Sequence, residues 1–168
     1  PVLTGMDSFV PPARAVKASQ RMFVIRSVVP EGDVGKYIAD ENKAVVPRYS
    51  KELRVDDFEF LVLGPHAEAS WQIVSSPPGP GSEPLVWASS RMAVIRSTTH
   101  GDRDPGKYIH DEKKPVIPLK GKELRLKSGA FEFLIIRPAS SPLPPMAAIS
   151  QYSAPPPQPR HVAPPQQY

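Results

Sequence analysis

The chain has 168 residues, a formal net charge of +4 at pH 7, 40% hydrophobic residues, 23 prolines and no cysteine. Without Cys there are no disulfides, zinc–thiolate centres or thiol catalysis, and no apolar run approaches the ~20 residues that cross a bilayer, so no membrane insertion is expected. The length suits one medium domain or two small ones that share a core.

Residues 1–20 read as an N-terminal arm without the apolar stretch of a secretory signal, so secretion is not expected. Pro1 is then the end left by removal of an initiator Met or by precursor cleavage. Residues 22–25 form a short apolar run between Arg21 and Arg26, with β-branched residues and no helical spacing, which predicts a strand. A polar turn follows over 30–35. Residues 36–38 and 44–46 flank the polar stretch 40–43 and predict a hairpin. Charged and apolar residues alternate over 52–55, as in a half-exposed strand. Residues 58–63 are apolar on both faces, which implies burial on two sides and sheet-on-sheet packing. The first unit is assigned to 21–74 and a Pro/Gly linker to 75–84.

The second unit, 85–138, says the same thing again. Arg-Met-x-Val-Ile-Arg-Ser stands at 21–27 and 91–97, and Gly-Lys-Tyr-Ile at 35–38 and 106–109. Lys-Glu-Leu-Arg stands at 51–54 and 122–125, and Phe-Glu-Phe-Leu at 58–61 and 131–134. About 24 identities fall in the same order over about 45 residues, the mark of a duplicated module. The predicted fold is all-β: two tandem, homologous, antiparallel β-sandwich-like modules related by a pseudo-twofold axis. The expected core is Met22, Val24, Ile25, Phe58, Phe60, Met92, Val94, Ile95, Phe131 and Phe133, with Trp71 and Trp87 over the seam. Residues 139–168 carry nine prolines and no acidic residue, which predicts an extended Pro-rich C-terminal arm.

Candidates for chemistry are few. His66, His100, His110 and His161 show no metal-ligand spacing, and no cofactor or metal is expected. Asp40-Glu41 and Asp111-Glu112 recur in both copies, but adjacent strand residues face opposite ways and read as turn polarity rather than an acid–base pair. Ser27 and Ser97 end their strands without a nucleophile motif, and no phosphate-cradling glycine loop occurs. An enzyme is therefore not expected. Nucleic-acid binding would draw on Arg26/Arg96, Lys36/Lys107, Lys51/Lys122 and Arg54/Arg125, with Tyr37/Tyr108 for stacking. Charge is unevenly divided, however. Residues 21–65 hold 7 basic and 8 acidic side chains (7 − 8 = −1), and residues 91–138 hold 11 and 6 (11 − 6 = +5).

A near-neutral copy beside a basic one suits head-to-tail contacts between molecules. The candidate interface residues are Asp56, Asp57, Arg103, Lys113 and Lys114, with Leu143, Met146, Ile149, Tyr152 and Tyr168 on the arm. The expected function is a non-enzymatic structural protein that assembles with itself into a sheet, shell or lattice. The alternatives are a nucleic-acid-binding protein using the basic copy and a scaffold subunit of a large complex, its tail laid on a partner.

The duplicated span 21–138, with its paired R-M-x-V-I-R-S, G-K-Y-I and F-E-F-L blocks, resembles the pyrenoid shell proteins of diatoms and related algae. That resemblance implies two similar β-rich regions, tiling around a Rubisco-filled pyrenoid, and a place in the chloroplast stroma; failing that, the compartment is the cytoplasm.

Overall fold

The computed structural model describes residues 10–28 and 32–139. Their strands are β1 (Met22–Ser27), β2 (Val34–Ile38), β3 (Lys43–Arg48), β4 (Lys51–Arg54), β5 (Phe58–Phe60) and β6 (Ala67–Gln72), then β7 (Met92–Ser97), β8 (Pro105–Ile109), β9 (Lys114–Leu119), β10 (Lys122–Arg125) and β11 (Phe131–Pro138). Beyond the strands there is one 3₁₀ turn, Ala39–Glu41, and no α-helix among the described residues.

The protein is all-β and antiparallel, but the strands do not divide into separate sheets. They make one eleven-stranded curled sheet in the order β5-β1-β2-β3-β4-β10-β9-β8-β7-β11-β6. Two features join the halves. The tips of β4 and β10 pair at Lys51 and Lys122, extended by Glu52 N–H to Gly121 O (3.1 Å) and Glu123 N–H to Ser50 O (3.2 Å). And β6, which follows β5 in the chain, crosses over to pair with β11. Neither is a local pattern, so hydrophobic periodicity carries no trace of them.

Registers recur between the halves. Ile25 faces Gly35 as Ile95 faces Gly106, and Arg26 faces Glu59 as Arg96 faces Glu132. The equivalence begins before Arg21. Val24 N–H donates to Val16 O and Val94 N–H to Val86 O, both at 2.9 Å. Residues 15–18 therefore line β1 as 85–88 line β7, rather than hanging as an arm.

Alternation along β1 and β7 sets up three apolar clusters. Phe23 and Ile25 turn to one side, where Tyr37, Ala44, Val46 and Val55 complete the first core. Ala93 and Ile95 do the same with Tyr108, Ile117, Leu126 and Phe133 in the second. Val24 and Val94 point the other way, into a central cluster with Val16, Ala18, Val34 and Leu134 that belongs to both halves. This is why β1 and β7 read as unbroken apolar runs. Tyr37 stacks on Phe58 at 5.8 Å between centroids and Tyr108 on Phe131 at 6.1 Å, each with the next Phe edge-on. Of the expected core rings only Phe133 is fully buried; Phe58, Phe60 and Phe131 are half-buried against their clusters. Trp71 covers the central cluster as expected of a seam residue, whereas Trp87 packs mainly on the second core.

The repeated glycine has a steric cause. A Cβ at Gly35 would collide with the Val45 carbonyl oxygen, and one at Gly106 with that of Val116. The curl of the sheet brings β3 onto β2, and β9 onto β8, closer than any side chain allows.

Chemical denaturation should separate two equivalent rings. Phe133→Ala is expected to cost about 3–5 kcal/mol, the range for emptying a closed core site. Phe60→Ala should cost at least ~1 kcal/mol less, because its ring is already partly in water. Equal losses would contradict the assignment of Phe133 to the closed core.

Candidate functional site

The charged residues of the repeat converge where β2 packs across β8. On β2, Tyr37 turns into the first core, so Lys36 turns to the opposite side, toward the second half. Its Nζ donates to Asp104 Oδ2 at 2.9 Å and to Pro118 O at 2.8 Å. On β8, Lys107 turns toward the first half, and its Nζ donates to Asp33 Oδ1 at 2.5 Å. Lys36 and Lys107 are equivalent positions, as are Asp33 and Asp104, so each half's lysine binds the other half's aspartate. All four side chains are 4–7% exposed.

A lone ion at such a site would carry a desolvation cost of several kcal/mol, so the pairs must form together with the interface. Further groups surround them. Arg48 reaches Asp33 Oδ2 at 3.2 Å. Glu52 lies 3.3 Å from Lys43 and 3.9 Å from Lys36, and its buried Oε2 accepts no hydrogen bond from the described residues. In the second half Lys114 donates to Glu123 at 2.9 Å.

A second reciprocal pair lies along β1 and β7. Arg26 binds Glu59 within its own half and donates from Nη1 to Ala88 O of the other at 3.0 Å. Arg96 binds Glu132 at 2.7 Å and donates to Ala18 O at 2.9 Å. At the hairpin tips Arg21 holds Asp40, and Arg91 holds Asp111, each at 2.6 Å. The hydrogen bond from each guanidinium, with its charge, keeps the carboxyl below its ordinary range. Burial pushes both the Tyr37 and Tyr108 phenols up.

This geometry changes the reading of several residues. Lys36, Lys107, Tyr37 and Tyr108 are buried, so they offer nothing to a nucleic acid. Asp40 lies in a 3₁₀ turn rather than a strand and serves as an arginine partner. Ser27 and Ser97 are buried turn acceptors: Ser27 Oγ takes the Asp33 N–H at 3.1 Å and Ser97 Oγ the His100 N–H at 2.9 Å. Among the described residues no group of three or more His, Asp or Glu converges as metal ligands.

Of the interface candidates, Asp56, Asp57, Arg103 and Lys113 are exposed, and Lys114 is half-buried on Glu123. Leu143, Met146, Ile149, Tyr152 and Tyr168 lie outside the described residues.

Beside the network opens a cleft of about 410 Å³, lined by Asp33, Arg48 and Tyr49 from one half and by Arg91, Lys107 and Glu112 among others from the second. Arg48 lies over the Tyr49 ring at 4.9 Å. Leu119 and Lys120 occupy the corresponding positions in the other half. The lining cations already have carboxylate partners, so the cleft is a seam in a neutralised network.

The sequence reading missed the crossed pairing. The signal was there: Asp33-x-x-Lys36 and Asp104-x-x-Lys107 keep one spacing in both copies. On neighbouring turns and strands that spacing suggests a local pair; the structure crosses the partners.

Removing one member of a buried pair should hurt more than removing both. Lys36→Met is expected to lower the unfolding free energy by about 3–5 kcal/mol, since Asp104 stays buried without its partner ion. Adding Asp104→Leu should recover part of that loss in the same denaturation experiment. A double variant that is less stable than Lys36→Met would overturn this account of the pair. In sequence, no family model and no curated protein matches the chain.

Proposed function

We propose that the chain is a non-enzymatic structural protein, built from two homologous β-units related by a pseudo-twofold axis, that assembles with itself into a sheet, shell or lattice. The supporting observation is that equivalent surface positions carry different charge. The exposed loop after β4 holds Asp56 and Asp57, whereas the loop after β10 holds Lys127 and Ser128. At the hairpin tips Asn42 in the first half corresponds to exposed Lys113 in the second.

The interior of the repeat is kept alike while its surface diverges toward opposite signs. Such a body presents an acidic patch at one end and a basic one at the other, and these fit each other on successive molecules. A contact of that kind is heterologous and propagates. The resemblance to pyrenoid shell proteins extends the proposal to a Rubisco-rich body in the chloroplast stroma as the enclosed cargo.

Exposed Lys113, Lys120, Lys122, Arg125 and Lys127 also make the second half the more basic one, the feature that favours nucleic acid as the competing partner. Negative-stain imaging at rising protein concentration separates the two. Extended lattices are expected, weakening as salt rises above the physiological screening regime. The variants D56K/D57K and K113E/K127E should each raise the assembly threshold about tenfold, and the quadruple variant should restore it. Monodisperse monomers that bind RNA or DNA in a salt-sensitive way would overturn the proposal.

A further inference from the structure

The outer edges of the two halves differ. In the second half, β11 is covered on its outer side by β6, in register from Phe133 opposite Gln72 to Pro138 opposite Ala67. The corresponding stretch of the first half is 60–65. Its inner side is paired, through Leu61 N–H to Val24 O (3.1 Å), Val16 N–H to Leu61 O (2.8 Å) and Leu63 N–H to Arg14 O (3.0 Å). Strand alternation turns the N–H and C=O of Phe60 and Val62 outward, and no described residue pairs with them. The Val62 side chain is 47% exposed.

A seat that no described residue fills adjoins this edge. On β6, Ala69 and Trp71 turn onto the central cluster, and Arg96 lies over the Trp71 ring at 4.6 Å. Under that cover the side chains of Arg96 and Glu132 are 12% and 21% exposed. The corresponding pair, Arg26 and Glu59, is 48% and 55% exposed. Beside it is a cavity of about 160 Å³ whose lining includes Val24, Leu61, Val86 and Ala88. These four stand where Val94, Leu134, Val16 and Ala18 stand around Trp71. Phe60 and Trp87 also line this cavity, but among the described residues no ring lies against Arg26 as Trp71 lies against Arg96.

We propose that residues 148–152 of this same chain supply the missing edge strand, with Tyr152 in the cavity beneath Arg26. Ala139 N–H donates to His66 O at 2.7 Å, so the chain leaves the described structure at the end of the open edge. The stretch 146–154 is the longest proline-free run of the tail. Within it Ala148-x-Ser150-x-Tyr152 repeats the small-x-small-x-aromatic pattern of Ala67-x-Ala69-x-Trp71. Residues 140–147 bridge from Ala139 to Ala148, at up to ~3.3–3.6 Å each. Prolines before and after the run mark where pairing stops. By equivalence with β6, Tyr152 stands opposite Leu61, Gln151 opposite Val62 and Ser150 opposite Leu63. This is independent of the assembly reading, because a filled edge is compatible with any outer contact.

The chain's lack of cysteine makes the register testable in the full-length protein. Directly opposed strand residues lie within disulfide range. Under mild oxidation, V62C/Q151C is expected to close an intrachain disulfide at monomer mass about tenfold faster than V62C/Q158C. Equal rates for the two pairs, or covalent dimers in place of the intrachain bond, would overturn the proposal; dimers would mean that a second copy supplies the strand. Amide exchange gives a measurement without new cysteines. Tyr152→Ala should speed exchange at Val62 about tenfold while Val45 in β3 stays unchanged. Unaltered exchange at Val62 would also overturn it.

Discussion

A buried lysine must find a carboxylate, and in this protein the carboxylate comes from the other half of the chain. Lys36 with Asp104 and Lys107 with Asp33 fix how β2 lies across β8. Desolvated charges tolerate little misplacement, so they specify one arrangement where the valines of the central cluster would accept several. The flanking groups are tied to this choice. Arg26 and Arg96 each reach a carbonyl of the opposite half, and Arg48 shares Asp33 with Lys107. Once that seam is set, the sheet can pass from β4 to β10 and β6 can cross to β11.

The local fold was legible because it depends on alternation and turn chemistry. Strands β1, β3, β5 and their counterparts fall on the apolar runs, and 40–43 and 111–114 do turn the chain. The single sheet was not legible, because a tie between the tips of β4 and β10, or a strand that changes sides, leaves no periodic signature. The charged repeats misled in a specific way. Lys36 and Tyr37 look like a basic and aromatic surface in one dimension, yet adjacent strand positions send one into an interface and the other into a core. Of the site, the arginine–carboxylate tips could be read from recurrence; the crossing of partners could not. The arm residues lie outside the described structure, and Tyr152 is singled out by a seat beside Arg26 that no described residue fills.

The repeat also sorts the molecule into what the fold uses and what it leaves free. Gly35, Lys36, Tyr37, Arg26, Ser27 and Glu52 each meet a steric or electrostatic demand that recurs in the other copy. Exposed residues that differ between the copies, such as Asp56 against Lys127, are under no such demand. Any function specific to this chain is therefore sought on the diverged surface and the unequal edges, not among the residues that first attract notice.

The crossed pairing has the form of an isologous contact, in which position i of one partner meets position j of the other and j meets i. Here both partners are covalently joined through 73–84. Two separate copies held by the same pairs would come apart on dilution. The connection replaces that concentration dependence with a constant effective concentration, on the order of millimolar for short flexible tethers. A contact that ordinarily exists only between molecules thus becomes a permanent interior, and the outward surfaces are released from the task of self-recognition through that face.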